Sequence, residues 1–221
     1  MLVLEDLNLD GLKIYQDDSL YRFTSDAVLL SRFATVKKGD IVADFCSGSG
    51  IVGINLLGLN KSLIESVTLF EMQEELFSLS LKTIEYNNLQ DKMSAVNTRI
   101  QDMGKIYAGK FSLITCNPPY MPIGKGFKDQ NDSIAKCRCE LTLTLEELIP
   151  AISTALKFGG RACLVHRADR LTDVMCLMRQ YNIEPKRLQF VSGGDKEPYL
   201  MLIEGVKGGK SGIKILKNQV N

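Results

Sequence analysis

Short apolar runs alternate with amphipathic segments along most of the chain. Segments such as 73–87, 144–157 and 171–181 repeat apolar residues at helical spacing, whereas the runs between them have the length of buried strands. The seven runs cover residues 40–45, 67–71, 94–98, 111–116, 162–166, 187–191 and 199–205. This alternation predicts a mainly parallel sheet covered by helices on both faces.

The two ends of the pattern complete the predicted topology. The link SGGDKEP (192–198) is too short for a crossover helix, so the last two strands must pair antiparallel. Residues 11–24 alternate like a small hairpin, and residues 25–34 resemble a helix capped by Thr24 or Ser25. The result is an α/β, Rossmann-like fold with seven strands, an antiparallel terminal strand and a small N-terminal hairpin.

These elements divide the chain into three predicted segments. Residues 1–39 form a hairpin and a helix packed on the core, and residues 40–206 form the α/β domain. Residues 207–221 form a flexible basic tail, and no Pro/Gly-rich linker separates the segments.

Composition narrows the class of partner. Hydrophobic residues make up 45% of the chain and charged residues 24%, which is ordinary for a globular protein. The net charge of +1 excludes a strongly basic protein that coats nucleic acid, but it allows a local basic patch. From Arg161 to Asn221, eleven Lys/Arg stand against six Asp/Glu, a bias that suits transient RNA binding through phosphates.

The cysteines and the apolar runs bear on the compartment. The six cysteines are scattered, and several lie inside apolar runs as reduced core thiols do in cytosolic proteins. Cys137 and Cys139 lack a second ligand pair at metal spacing, and no stretch has the character of a secretory signal or of a membrane span. We expect a cytoplasmic protein without a metal site or a membrane partner.

A glycine-rich turn follows the first core strand in ADFCSGSGIVG (43–53). Gly48, Gly50 and Gly53 satisfy the G-x-G-x-x-G pattern, and Glu71 ends the next strand at the distance typical of dinucleotide sites. Asp44 argues against a dinucleotide, because a carboxylate about 6 Å from a phosphate charge costs roughly 3 kcal/mol at an effective dielectric near 20. S-adenosylmethionine carries positive charges and no phosphate, so Asp44 favours it. Glu71 would then accept hydrogen bonds from both ribose hydroxyls of the cofactor, and Asp102 would accept one from its adenine amine.

The sequence TCNPPYMP (115–122) follows the fourth strand, at the edge where the glycine turn also lies. An exocyclic amine conjugated to a ring is a poor nucleophile. Hydrogen bonds to the Asn117 side-chain oxygen and the Pro118 carbonyl would favour a pyramidal nitrogen and stabilise developing positive charge. Pro119 helps to fix that carbonyl, and Tyr120 supplies a face on which a base can stack.

These motifs together resemble the class I amino-methyltransferases that act on adenine N6, guanine N2 or protein glutamine. The flanking stretches 23–34, 139–149 and 165–191 resemble the bacterial valine-tRNA adenine-N6 methyltransferase family, which modifies the adenine beside the anticodon. The resemblance implies catalysis by residues 117–120. It implies cofactor binding by Phe23, Thr24, Asp44, Gly48, Gly50, Glu71 and Asp102. Relatives often have Arg-His-Glu where this chain has Arg138-Cys139-Glu140.

Basic residues near the predicted crevice are candidates for gripping the substrate. Arg138, Arg167 and Arg170, together with Tyr120, are predicted to bind it, with the arginines contacting phosphates. His166 is the single histidine, but methyl transfer to an amine needs no strong base, so we interpret it as structural or as a polar contact to the substrate.

The prediction is therefore transfer of a methyl group from S-adenosylmethionine to an adenine N6 in tRNA. Alternatives within the class are guanine N2 of ribosomal RNA and protein glutamine, although glutamine enzymes usually carry a helical domain that residues 1–39 have no room for. A dinucleotide-dependent dehydrogenase and a non-catalytic RNA-binding module stay open from other classes. The sequence does not determine the oligomeric state, and both a monomer and a weak dimer stay open.

Overall fold

The computed structural model describes residues 1–120 and 142–220, which form one nine-stranded sheet, a separate hairpin and helices on both sheet faces. The strands are β1 Leu2–Asp6, β2 Lys13–Asp17, β3 Asp40–Phe45, β4 Ile64–Glu71, β5 Met93–Asn97, β6 Phe111–Cys116, β7 Leu156–Arg167, β8 Ile183–Ser192, β9 Pro198–Lys207, β10 Lys214–Ile215 and β11 Gln219–Val220. The helices are α1 Ser25–Phe33, α2 Ile51–Leu59, α3 Glu74–Tyr86, α4 Leu145–Ala155 and α5 Leu171–Gln180. Short 3-10 turns occupy Ile100–Asp102, Gly104–Tyr107 and Ala168–Arg170.

The strand order confirms the predicted topology. The sheet runs β10-β8-β9-β7-β6-β3-β4-β5, and its central strands β7, β6, β3, β4 and β5 are parallel. Strand β9 lies between β7 and β8 and is antiparallel to both, as the short link before it requires. Each of the seven predicted runs coincides with one of these strands, except that Thr98 falls one residue beyond the end of β5.

Two details of the sequence prediction were wrong. The sheet holds nine strands rather than seven, because residues 214–215 and 219–220 of the predicted flexible tail pair in parallel with β8. The hairpin lies at residues 2–6 and 13–17 rather than within 11–24, because the strand before the turn begins at Leu2. Its partner, β2, ends at Asp17, where the Asp17 carboxylate accepts the Ser19 backbone N–H at 2.9 Å.

Alternation along the parallel strands sends side chains into two separate cores. Val42 and Leu113 pack into the core under α1, α2 and α3, while their neighbours Ala43 and Ile114 pack into the core under α4 and α5. All four side chains are fully buried. Because both faces are covered, we expect a ligand at an end of the strands, and open α/β sheets bind their ligands at the carboxyl ends.

The N-terminal hairpin is joined to the α/β domain by polar contacts. The Asn87 side chain at the end of α3 accepts the Lys13 N–H at 3.0 Å and donates to the Lys13 carbonyl at 2.7 Å. On the other side of β2, the buried Gln16 side chain donates to Ser49 in the glycine turn and accepts the Phe23 N–H at 3.1 Å. The hairpin therefore braces the turn that follows β3.

Two structural findings bear on the class of protein. No helix within residues 1–120 and 142–220 combines the length and the apolar character that a bilayer crossing requires. Over the same ranges, no three His, Cys, Asp or Glu side chains are grouped as a metal site would need.

Candidate active site

The loops that follow β3, β4, β5 and β6 meet at a cavity of about 270 Å³, which we call the main cavity. Eight of the predicted site residues line it, namely Phe23, Thr24, Gly48, Glu71, Asn117, Pro118, Pro119 and Tyr120. Three others, Asp44, Gly50 and Asp102, are not among its lining residues. The structure thus brings together the glycine turn, the acid of β4 and the loop after β6.

The glycine turn reverses the chain between β3 and α2 by using left-handed backbone angles. Gly50 has a φ of 94°, and an added Cβ there would come within 2.8 Å of the Leu69 Cδ1 atom, so this position requires glycine. Cys46 also has a positive φ of 56°, which is uncommon for a residue with a side chain. The Ser47 N–H donates to the Phe70 carbonyl at 3.1 Å, which ties the turn to the end of β4.

Glu71 is a buried acid at the wall of the main cavity. Its two oxygens accept the backbone N–H groups of Gly48 and Gln73, each at 2.8 Å. Burial raises the pKa of Glu71, although these N–H bonds act in the opposite direction. The contacts fix the carboxylate between the glycine turn and the chain after β4, where it can still accept from a ligand through its remaining lone pairs.

Asp44 lies one strand position before the turn and behind the wall of the main cavity. It is 1% exposed, and its carboxylate accepts the Thr115 hydroxyl at 2.8 Å and the Gly53 N–H at 3.1 Å. Burial raises the pKa of Asp44 to about 7, so its charge is only partly developed near neutral pH. Its expected role in cofactor binding stays a prediction, and its contacts act on the turn and on β6.

Asn117 begins the loop after β6 and holds an unused acceptor. Its Oδ1 atom is buried and accepts no hydrogen bond from any residue in the described part of the chain. A buried amide oxygen without a donor costs about 1–3 kcal/mol, so a ligand that brings an N–H would stabilise this arrangement. Pro118 and Pro119, both buried beside it, hold this part of the loop in an extended conformation.

Tyr120 is held from two sides. Its hydroxyl donates to Asp26 in the first turn of α1, and its ring lies 5.7 Å from the ring of His166, centroid to centroid. Burial and the Asp26 charge raise the pKa of Tyr120 above its ordinary value, so the phenol keeps its proton. His166 is fully buried behind this ring, and burial lowers its pKa to about 4. His166 therefore supports Tyr120 as a neutral side chain.

Of the predicted phosphate-binding residues, Arg167 and Arg170 do not line the main cavity. Arg167 borders a second cavity beside Tyr120 and pairs with Asp169, while Arg170 pairs with Asp173 at 2.6 Å. Arg138 lies outside the described residues. The substrate-binding roles of these three arginines stay predictions.

Sequence reasoning missed several residues of the site. In the sequence, Asp26 is an ordinary acid in the first turn of a helix. Its contact with Tyr120 spans 94 positions, so no local signal reveals that contact. Ser47 also lines the main cavity, and its hydroxyl has no partner among the described residues. Near the end of β5, Ile100 and Gln101 line the cavity, whereas the predicted Asp102 is exposed in the same 3-10 turn.

Comparison with known families shows the family of the chain. The model of the methyltransferase small domain family matches residues 24–175, which include the glycine turn, Glu71 and the Asn-Pro-Pro-Tyr loop. The chain belongs to this family. In this chain, the main cavity lies at the carboxyl edge of the parallel strands, where open α/β folds bind their ligands.

Individual relatives agree with the family. The chain is 28% identical over 144 residues to a tRNA1(Val) (adenine(37)-N6)-methyltransferase of a Shewanella species, a match that covers 64% of this chain and 59% of that protein. It is 26% identical over 194 residues to the protein of the same name from Bacteroides thetaiotaomicron, covering 86% and 78%. A crystal structure of a predicted O-methyltransferase from Agrobacterium tumefaciens has the same fold, with a TM-score of 0.69, 16% identity and coverage of 88% and 86%.

Proposed function

We propose that this protein transfers a methyl group from S-adenosylmethionine to the N6 amine of an adenine in tRNA. The observation that carries the proposal is the buried Asn117 Oδ1 atom, which has no donor among the described residues and lies in the main cavity beside Pro118 and Tyr120. The names of the Shewanella and Bacteroides relatives support tRNA as the substrate and adenine as the base.

The residues at the other part of the main cavity suit the cofactor. Glu71 presents a fixed carboxylate for vicinal hydroxyls, and the Ser47 hydroxyl has bonding capacity left among the described residues. Phe70, Ile100 and Leu143 line the cavity and belong to one buried apolar cluster, which suits a purine ring. When bound, S-adenosylmethionine supplies an electrophilic methyl group.

The remaining residues act on the acceptor base. Asn117 Oδ1 and the Pro118 carbonyl would accept the two N–H bonds of the amine, which directs its lone pair away from the ring and stabilises the cation that forms. Tyr120, fixed by Asp26 and His166, would stack against the base. After methyl transfer the cationic amine is acidic and can lose its proton to water, so no strong base is needed, and the neutral His166 behind Tyr120 provides none.

An adenine reaches this cavity most readily from a single-stranded loop. RNA bases in loops can be turned outward at low cost, whereas bases in a duplex must first be unstacked and unpaired. A tRNA substrate supports a cytoplasmic location, and the free cysteines among the described residues support it too.

Nucleoside mass spectrometry of tRNA tests the proposal. Cells that lack the gene should lose N6-methyladenosine from one tRNA, and the intact protein should restore it, whereas Asn117→Ala should not. Asn60→Ala is a matched control, because Asn60 is also half-buried but its side chain donates only to the Leu56 carbonyl at the end of α2. Unchanged tRNA nucleosides would refute the tRNA substrate, and guanine N2 or protein glutamine would then be examined.

A further inference from the structure

A second cavity opens beside the main one, on the other side of Tyr120. Among the described residues it is lined by Asp26, Tyr120, Arg167, Asp169, Pro198, Tyr199 and Leu200. Asp26 and Tyr120 line both cavities, so the hydrogen-bonded pair forms the wall between them. The second cavity is therefore next to any ligand unit that lies against Tyr120 in the main cavity.

We propose that the second cavity binds the base of the nucleotide next to the target adenine in the RNA chain, with Tyr199 as its stacking platform. This inference rests on the proposed function, since it assumes an RNA acceptor. Tyr199 lies at the start of β9, is 45% exposed and presents an aromatic ring at the cavity. Aromatic rings are common platforms on which unpaired bases stack.

The charges of the second cavity favour a neutral base over a phosphate. Among the described residues, its lining includes the carboxylates of Asp26 and Asp169 and one cation, Arg167, which is already paired with Asp169. The sum of these charges is negative, so a phosphate would be repelled. A base edge is neutral and carries N–H groups that carboxylates can accept, and the apolar Pro198 and Leu200 complete the surface around it.

The position of Tyr199 in the fold also suits the role. Strand β9 pairs with β7, so Leu200 lies directly opposite Arg167 in the antiparallel register, and His166 behind Tyr120 lies opposite Met201. The platform for the neighbouring base and the support of Tyr120 are therefore carried by the same rigid strand pair. Two successive bases would each find an aromatic ring, one on each side of the wall.

A fluorescent base measures this stacking without requiring catalysis. The probe is an RNA hairpin with an adenine in its loop and a 2-aminopurine beside it, placed on the 5′ side in one RNA and on the 3′ side in another. Stacking on Tyr199 should quench one of the two on binding to the wild-type protein. Tyr199→Ala should abolish the quenching and weaken binding by about 5- to 150-fold, and Tyr199→Phe should preserve both.

The control is Tyr86→Ala, because Tyr86 is also 45% exposed but lies at the end of α3 and lines neither cavity. It should bind and quench as the wild type does. In methylation assays Tyr199→Ala should raise KM with little change in kcat, since the platform holds the neighbour of the reacting base. The loss should be similar at low and high salt, because stacking releases few counterions.

The outcomes separate this inference from the proposed function. Quenching that depends on Tyr199, in a protein that methylates no tRNA, would support the subsite and refute the reaction. Methylation that depends on Asn117, with quenching that survives Tyr199→Ala in both RNAs, would overturn the subsite and leave the reaction in place. A Tyr199→Phe variant that loses the quenching would also overturn it, because its ring is retained.

Discussion

Asp44 allows a quantitative test of how a buried acid under the glycine turn affects stability. Burial raises its pKa from 3.8 to about 7 in the folded, ligand-free protein. Because the folded pKa is the higher one, the stabilising contribution is fully present below pH 3.8 and is lost as the pH rises through about 7. From pH 5 to about pH 7 only the unfolded protein has this group ionised, so the free energy of unfolding falls by about 1.4 kcal/mol per pH unit. The total loss between pH 5 and pH 8 is about 3 kcal/mol.

The wild-type curve alone does not isolate this effect, because His166 works against it. Burial lowers the pKa of His166 from 6.5 to about 4, so its contribution is present above pH 6.5 and is lost as the pH falls toward 4. From pH 8 to pH 5 that loss is about 2 kcal/mol, opposite in sign to the change from Asp44. Glu71, whose pKa burial also raises, changes in the same direction as Asp44.

The substitution Asp44→Asn removes the titration with little change in shape. The amide oxygen can accept the Gly53 N–H, and the amide nitrogen can donate to the Thr115 hydroxyl oxygen, so both present contacts have a counterpart. Urea unfolding of both proteins at pH 5, 6, 7 and 8 measures the difference in stability. That difference should shift by about 3 kcal/mol in favour of the variant between pH 5 and pH 8.

The comparison has a clear negative outcome. A difference in stability that stays constant from pH 5 to pH 8 would show that Asp44 is charged throughout this range and that the burial argument is wrong. Asp91→Asn, at an exposed position after α3, is the control and should reproduce the pH profile of the wild type.

Two further sets of substitutions test the Tyr120 contact and the packing of the glycine turn. Asp26→Asn replaces a charged acceptor of the Tyr120 hydroxyl, so kcat/KM should fall about 10-fold. Tyr120→Phe should do the same, and the double variant should be no worse than either alone, whereas additive losses would separate the two roles. Gly53→Ala should lower the free energy of unfolding by about 1–3 kcal/mol, because the new Cβ would lie 2.5 Å from Leu69 Cδ2 in the core. Gly193→Ala, with nothing within 4 Å, should change it little, and equal effects would contradict the packing argument.

The parts of the fold that sequence predicted well are those with long periodic signals. All seven apolar runs became strands, and the reversed direction of β9 followed from the length of one link. The two strands in 214–220 were missed because each has two residues, which is too short for any alternation to appear. The hairpin was misplaced because apolar residues continue through the irregular stretch 18–24.

The candidate site shows a similar division. Glu71 was found because it ends a strand, and the Asn-Pro-Pro-Tyr loop because it directly follows one, since the carboxyl ends of parallel strands share one edge. Asp44 was expected to face the cofactor, but the direction of a side chain at a strand end depends on what lies behind it, here Thr115 and Gly53. Asp26 and Tyr199 could not be identified, since their positions depend on the packing of distant elements.

The short strands β10 and β11 cover part of the outer edge of the sheet. Strand β8 is ten residues long and pairs with β9 on one side, so its other side would present a row of unpaired backbone groups. Such edges are templates on which other chains add strands and aggregate. Pairing of residues 214–215 and 219–220 with Arg187, Leu188, Val191 and Ser192 interrupts that row at two places. The tail therefore shields the sheet against intermolecular strand addition, and a protein truncated after Lys207 should lose solubility before it loses its fold.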